Sequence, residues 1–214
     1  MLSSDLQSRL RLIVITDQDL ASPRSIVEIV ADALAAGARA IQLRSKTASA
    51  RELQERGSEL LSLTRPAGAL LFINDRLDVA LAIGADGVHL GPDDIPVSEA
   101  RRAVPNSFLI GTSTDNPQQA AQLEDDGADY IGCGTVYPTM TKADAGQIIG
   151  LSGLDRVARS VDVPVIGIGG INVERSAEVS TTYASGIAVV SAVMQTSDVP
   201  ETIVGLLAPW AERD

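Results

Sequence analysis

The chain has 214 residues, 45% of them hydrophobic, enough for one domain spanning residues 1–214 with a full core. Its 17 basic and 28 acidic residues leave a net charge of −11, which argues against nucleic acid or an anionic membrane as a partner without excluding a locally positive anion site. A single cysteine, Cys133, excludes an internal disulfide framework, and with no signal-peptide pattern and no apolar run of ~18 residues a soluble, cytoplasmic protein is expected.

Short β-rich runs alternate with helical stretches throughout. Strands are expected at residues 12–17, 40–46, 70–75, 87–90, 108–113, 130–134, 164–169 and 186–192. Helical periodicity marks residues 25–36, 50–63, 117–125, 151–160 and 173–179, and a last helix at 200–211. Eight strands, each followed by a helix or helix-like turn, predict an α/β fold, a single (β/α)8 TIM barrel, with an open doubly wound sheet as the alternative. A faint repeat supports the barrel. Ala38-Arg-Ala-Ile, Ala85-Asp-Gly-Val, Ala128-Asp-Tyr-Ile and Ala184-Ser-Gly-Ile each mark a helix end entering an even-numbered strand.

In such a barrel, function belongs at the C-terminal ends of the strands. Strand two ends Gln42-Leu43-Arg44-Ser45-Lys46. Alternation puts Gln42, Arg44 and Lys46 on one face, where two cations and an amide are costly without anionic or hydrogen-bonding partners. A phosphate-bearing ligand is the simplest partner; a salt-bridged strand end is the alternative. Strand three ends Asn74-Asp75, which is also ordinary turn chemistry. Strand four ends Gly91-Pro92-Asp93-Asp94. These carboxylates either join Asp75 as oxygen ligands of Mg²⁺ or cap the helix that begins near Val97. His89, the only histidine, lies within strand four among apolar residues. A hydrogen-bonded core histidine is favoured there over a catalytic base, and a multi-histidine zinc site is impossible.

Strand five ends Gly111-Thr112-Ser113, where a hydroxyl can bind phosphate or satisfy the turn. Strand six leads into a long loop containing Thr139, Met140, Thr141 and Lys142, and long loops in compact domains are often functional. Strand seven ends Gly169-Gly170, and strand eight carries Val190-Ser191. Loops after these two strands frequently cradle a phosphate in this fold. Two anionic subsites emerge. Cations with a carboxylate-held metal suit a diphosphate, whose leaving oxygen needs charge neutralisation; glycine backbone suits a monophosphate.

Together these motifs, in this order and over nearly the whole chain, resemble the thiamine phosphate synthase family. The residues that carry the resemblance run from Gln42–Lys46, Asn74-Asp75 and Gly87–Asp94 through Gly111–Ser113 and Tyr137–Lys142 to Gly167–Gly170 and Val190-Ser191. The resemblance implies coupling of a hydroxymethylpyrimidine diphosphate to a thiazole phosphate, plain or carboxylated, giving thiamine phosphate and pyrophosphate. It implies Mg²⁺ on Asp75 and Asp94. Gln42, Leu43, Arg44, Ser45, Lys46, Asn74, Ser113 and Lys142 would hold the pyrimidine diphosphate, with Arg44, Lys46, Ser113 and Lys142 as the catalytic groups. Thr139, Met140, Thr141, Gly170, Val190 and Ser191 would hold the thiazole phosphate. Small molecules are the implied partners, and the outer helices are compatible with a homodimer. Two departures from the family pattern stand out: Pro92 replaces a common glutamine, and residues 180–185 replace a helix end usually rich in alanine and glycine.

Three rivals remain. A thiazole tautomerase on the same barrel relies by family pattern on a histidine after strand six, where this chain has Thr135. A non-catalytic phosphate-ligand barrel has less need of a complete diphosphate and metal set. A phosphosugar isomerase or indole-type barrel needs a placed acid–base pair.

Overall fold

The computed structural model describes residues 3–139 and 147–213. After a short helix, α1 (Ser3–Arg9), strand and helix alternate: β1 (Leu12–Ile15), α2 (Gln18–Ala21), α3 (Ile26–Ala35), β2 (Ala40–Leu43), α4 (Ala50–Thr64), β3 (Leu70–Asn74), α5 (Leu77–Ile83), β4 (Gly87–Leu90) and α6 (Val97–Ala103). The second half continues with β5 (Leu109–Ser113), α7 (Pro117–Asp125), β6 (Tyr130–Cys133), α8 (Gly150–Ala158), β7 (Val165–Ile168), α9 (Val173–Val179), β8 (Gly186–Val189), α10 (Ser191–Met194) and α11 (Val199–Leu207), and a 3₁₀ turn at Ala208–Arg213. The strands pair in parallel in chain order, and β1 closes on β8 through Leu12↔Ile187, Ile13↔Ala188 and Val14↔Val189. The expected TIM barrel is therefore present. Its strands are almost wholly buried, as they must be when side chains fill one face of a sheet and helices cover the other.

Several strands are shorter than expected at their C-terminal ends: β1 stops at Ile15, β2 at Leu43 and β8 at Val189. The polar residues there leave the ladder for side-chain partners. Arg44 N–H, for example, donates to Thr16 Oγ1 (3.1 Å). Ser191, expected on strand eight, opens α10 instead. The helices not expected from periodicity, α1, α2, α5 and α10, are only one or two turns long.

The repeat before the even strands has a physical cause. Gly37, Gly84 and Gly127 take positive φ (108°, 69° and 100°) just after helices α3, α5 and α7. The next alanine donates its N–H back to the last turn of the helix: Ala38 to Ala33, Ala85 to Ala80, Ala128 to Leu123. This is the Schellman stop, which suits glycine because glycine alone enters the left-handed region without steric cost. In two of these units the aspartate that follows pins a neighbouring strand. Asp86 accepts from Leu71 N–H (2.8 Å) and Asp129 from Ile110 N–H (2.7 Å). Both lie at the N-terminal end of the barrel, away from the mouth. Before β8 there is no such glycine. There Thr182 Oγ1 accepts from Ala184 N–H, and Asp155 accepts from Tyr183 N–H, so side chains at the unusual residues 180–185 do the work of the missing turn.

The barrel floor is filled by two aromatic rings. Phe72 and Tyr130 meet edge to face with centroids 5.2 Å apart. Neighbouring strands make room with glycine: a Cβ on Gly87 would stand 2.8 Å from Phe72 Cε1, and one on Gly111 would stand 2.1 Å from Tyr130 Cζ. Large rings opposite absent side chains keep the interior close-packed. At the C-terminal end of the chain, Trp210 is buried and donates Nε1–H to Ser176 Oγ (3.0 Å), which donates to Leu206 C=O (2.8 Å). Trp210→Ala is expected to destabilise the fold by about 3 kcal/mol or more, read as a lowered urea midpoint. A midpoint within error of the parent would show that this seal contributes nothing.

Candidate active site

The inward face of β2 begins the site. Gln42 is buried and donates Nε2–H to Asn74 Oδ1 (2.6 Å) at the end of β3. Arg44 lies just beyond the strand, its side chain 10% exposed and its Nη1 3.8 Å from Asp17 Oδ2. Asp17 uses its other oxygen, Oδ1, to accept from Asp19 and Leu20 N–H at the start of α2. A counter-charge for Arg44 thus comes from the residue that caps α2, just beyond β1. Lys46 shares the same opening. Two residues of this run face elsewhere. Leu43 is buried in the wall, its side chain turned toward Gly57 of α4. Ser45 Oγ accepts from Ala48 N–H and shapes the turn before α4.

The carboxylates gather one and two strands along. Asp75 holds φ 65°, the only non-glycine residue with positive φ among those described. That conformation is uncommon for a side chain with a Cβ, and Asp and Asn tolerate it best. Its N–H donates to His89 C=O (2.8 Å). Asp94 folds back so that Oδ2 accepts from Gly91 N–H (2.7 Å). It does not cap α6, whose N-cap is Pro96 without a side-chain bond. Although Asp75 is exposed as a residue, its carboxyl is pushed up to about 6, first by desolvation and next by the negative charge and hydrogen bonding of Asp94, with Arg44 and Asn74 opposing.

These side chains line one cavity of about 460 Å³ at the barrel mouth: Arg44, Lys46, Asn74, Asp75, Asp94 and Ser113, joined by His89, Asp93, Thr114 and Asp115. A narrower pocket of about 30 Å³ lies deeper, sharing Arg44, Asn74, His89 and Ser113 and reaching Gln42 and Tyr130. Among the described lining residues of the larger cavity, four aspartates face Arg44 and Lys46, a formal sum of −2. A polyanion entering such a mouth needs an added cation. Asp75 and Asp94 fit that need for Mg²⁺: they are oxygen donors on adjacent loops, near enough to raise one another's energy as anions. Mg²⁺ takes one or two carboxylates and completes its shell with phosphate oxygens and water. Among the described residues no three His, Cys, Asp or Glu side chains form a metal-holding group, so they offer no closed protein cage.

His89 corrects the sequence expectation. It is hydrogen-bonded, as foreseen, but it faces the cavity rather than a sealed core. Its Nε2 lies 2.8 Å from Ser113 Oγ and its Nδ1 3.0 Å from Tyr130 Oη. Tyr130, Asp17 and Asp115 were not singled out in the sequence at all. Only the parity of inward positions on β6 would have pointed to Tyr130.

The glycine-rich side lies across the barrel. Gly170 has φ 63°, and a Cβ there would meet Pro138 C=O at 2.5 Å, so the loops after β6 and β7 touch backbone to backbone. Arg175 donates Nη1–H to Gly170 C=O (2.5 Å) and places its guanidinium 4.6 Å from the centroid of the Tyr137 ring. Tyr137 Oη donates to Glu178 (2.8 Å). Val190 is buried and precedes α10. Thr139, Gly170, Val190 and Ser191 do not line the 460 Å³ cavity. Met140, Thr141 and Lys142 lie outside the described residues. Thr135, where a tautomerase would carry histidine, is buried against Gly169.

A family model described as thiamine monophosphate synthase matches residues 12–193. The chain is similar to the thiamine-phosphate synthase of Pyrococcus horikoshii, 48% identical over 202 residues covering 94% of this chain and 95% of the relative. It is likewise similar to that of Roseiflexus castenholzii, 49% identical over 200 residues covering 94% and 87%. Among solved structures it matches thiamine phosphate pyrophosphorylase from Pyrococcus furiosus with a TM-score of 0.89 at 46% identity, covering 97% of this chain and 98% of that one. At 16% identity and a TM-score of 0.66, 3-hexulose-6-phosphate synthase shares the fold alone.

The crowding of Asp75 predicts a pH effect of definite sign. The folded protein holds this proton up to about 6, whereas the unfolded chain releases it near 3.8. The group therefore adds stability below about 4, and that stability is lost as pH rises through about 6. Metal-free protein is expected to gain thermal stability on going from pH 7 to pH 5 relative to Asp75→Asn, and Mg²⁺ at pH 7 should narrow the difference. Parallel pH profiles for the two proteins would show that Asp75 is not crowded.

Proposed function

The chain belongs to the thiamine monophosphate synthase family, and from that premise we propose that it couples a hydroxymethylpyrimidine diphosphate to a thiazole phosphate at the barrel mouth, forming thiamine phosphate and releasing pyrophosphate. The single observation that carries this is the common cavity of Arg44, Lys46, Asn74, Asp75, Asp94 and Ser113. A site built to strip a diphosphate needs cationic and hydrogen-bonding groups aimed at one leaving group.

In this reading the C–O bond to the diphosphate breaks with its electron pair leaving on oxygen. Positive charge develops on the pyrimidine methylene, which the amino-substituted ring stabilises by donation. The thiazole nitrogen then supplies its lone pair to form the new C–N bond. Arg44, Lys46 and Lys142 hold the departing oxygens, and Ser113 hydrogen-bonds the same substrate. Gln42 and Asn74, linked to each other, orient the ring in the deeper pocket. Asp75 and Asp94 would hold Mg²⁺, which when bound supplies charge neutralisation at the diphosphate. Thr139, Met140, Thr141, Gly170, Val190 and Ser191 receive the thiazole phosphate. Leu43 and Ser45 act through backbone position, given where their side chains face. No protein nucleophile is required, and burial pushes the Cys133 thiol up to about 12, far from nucleophilic use. Alignment of the two rings and exclusion of water remain the protein's main tasks.

The reading extends to a cytoplasmic setting with small-molecule substrates and no nucleic-acid or membrane partner, supported by the net charge of −11. Among the described residues no helix is long and apolar enough to cross a membrane. A homodimer through the outer helices is the proposed assembly. Buried Thr135 speaks against the tautomerase alternative.

Incubation with both substrates and Mg²⁺ is expected to yield thiamine phosphate by mass spectrometry, with nothing formed in metal-free or single-substrate controls. Absence of product from folded protein would return the non-catalytic binder to first place. Asp94→Asn should lower turnover by about a hundredfold or more without unfolding the chain; near-parental activity at low Mg²⁺ would remove Asp94 from the metal set. Lys142→Ala should weaken calorimetric binding of the diphosphate by about tenfold and leave thiazole phosphate binding unchanged. Equal losses would collapse the division into two subsites.

A further inference from the structure

Three polar groups form a line from the barrel floor to the cavity: Tyr130 Oη, the His89 imidazole and Ser113 Oγ, with contacts of 3.0 Å at Nδ1 and 2.8 Å at Nε2. With a neutral imidazole the geometry permits two polarities. Either the phenol donates to Nδ1 and Nε2–H donates to the serine, or every arrow is reversed. The floor decides between them. Tyr130 is 1% exposed, held by the edge of Phe72 and pressed against Gly111, where a Cβ would come within 2.4 Å of Oη. A buried phenol has one proton to place, and the hydrogen-bond partner recorded for it among the described residues is His89 Nδ1. The reversed polarity would make the phenol an acceptor and leave its own proton buried without a partner, which is unfavourable. Burial also pushes the phenol's pKa further up, so it keeps that proton.

We propose that Tyr130 is a positioning residue that fixes His89 as the Nε2–H tautomer, so that Nε2 donates to Ser113 Oγ and the serine's own proton is left to point at a substrate acceptor. Ser113 then serves the site as a donor. Resting on the function proposed above, the matching acceptor is an oxygen of the diphosphate, where negative charge grows as the C–O bond breaks and a fixed donor gains strength. Gly132 belongs to the same device: a Cβ there would stand 3.2 Å from Ser113 Oγ and 3.3 Å from His89 Cε1, crowding the pair. A tyrosine that merely filled the floor would have no bearing on which imidazole nitrogen carries the proton.

The chain holds one histidine, so the imidazole ¹⁵N signals of labelled protein report on His89 alone. In substrate-free protein at a pH of about 8, where an ordinary imidazole is neutral, the long-range ¹H–¹⁵N pattern is expected to be that of the Nε2–H tautomer. Ser113→Ala should keep this pattern. Tyr130→Phe should move it toward Nδ1–H or an average of the two, and should lower kcat by about tenfold with KM for both substrates near parental values. An Nδ1–H pattern in the unaltered protein overturns the proposal. So does a switch in Ser113→Ala, which would make the serine the determinant. So, in folded Tyr130→Phe, does either an unchanged pattern or an unchanged kcat. If Tyr130→Phe does not fold, the unaltered protein and Ser113→Ala still decide the matter. The spectra need no turnover, so failure of the product assay would strike the functional reading and leave the tautomer assignment to stand or fall by itself.

Discussion

Barrel closure forces like charges together. When β1 pairs with β8 the sheet closes, and polar residues just past the C-termini of several strands are gathered at one end of the barrel. Asp75 and Asp94 meet there, with Asp93 and Asp115 on the same cavity and only Arg44 and Lys46 opposing them among the described lining residues. Desolvation first, and the neighbouring Asp94 charge next, leave an Asp75 carboxyl that keeps its proton to about 6. On the function proposed above, a divalent cation held by these carboxylates would offset that repulsion before a diphosphate entered.

The rest of the barrel makes that arrangement possible. Its floor is a plug of Phe72 and Tyr130 against Gly87 and Gly111. The plug keeps the cavity shallow and leaves a narrow pocket beneath Arg44, lined by amide and imidazole groups. Across the mouth, Arg175 and Tyr137 tie the loops after β6 and β7 to each other. Those two residues stand apart from the cavity that Arg44 and Lys46 line. At the opposite end, Asp86 and Asp129 spend their carboxylates on strand N–H groups. The same residue type pins strands at one end of the barrel and lines the cavity at the other.

The polar alternation of Gln42, Arg44 and Lys46 was legible, because a strand exposes its period of two directly. Asn74-Asp75 and Asp94 were legible as candidates but not distinguishable from turn and cap residues until Asp75 took a left-handed conformation and Asp94 folded back onto Gly91. His89 is hydrogen-bonded as expected, but apolar neighbours in sequence do not reveal that its own face of the strand lines a cavity. Ser191 lies beyond the end of β8, in α10, because the strand stops at Val189, whereas Leu43 keeps the face that alternation assigns it, away from Gln42 and Arg44. Asp17 and Tyr130 carried no local signal, because each matters only through a partner on another strand.

The sequence alone determined the order of strands and helices, the barrel they form and the family to which its motifs point. Apolar periodicity, turn glycines and polar strand ends are local properties, written within a few residues of where they act. The tertiary structure decided which of those polar residues share a cavity, which carboxylates repel one another and which nitrogen of His89 faces a buried hydroxyl. Those are distances between residues far apart in the chain, and they exist only once the eighth strand has found the first.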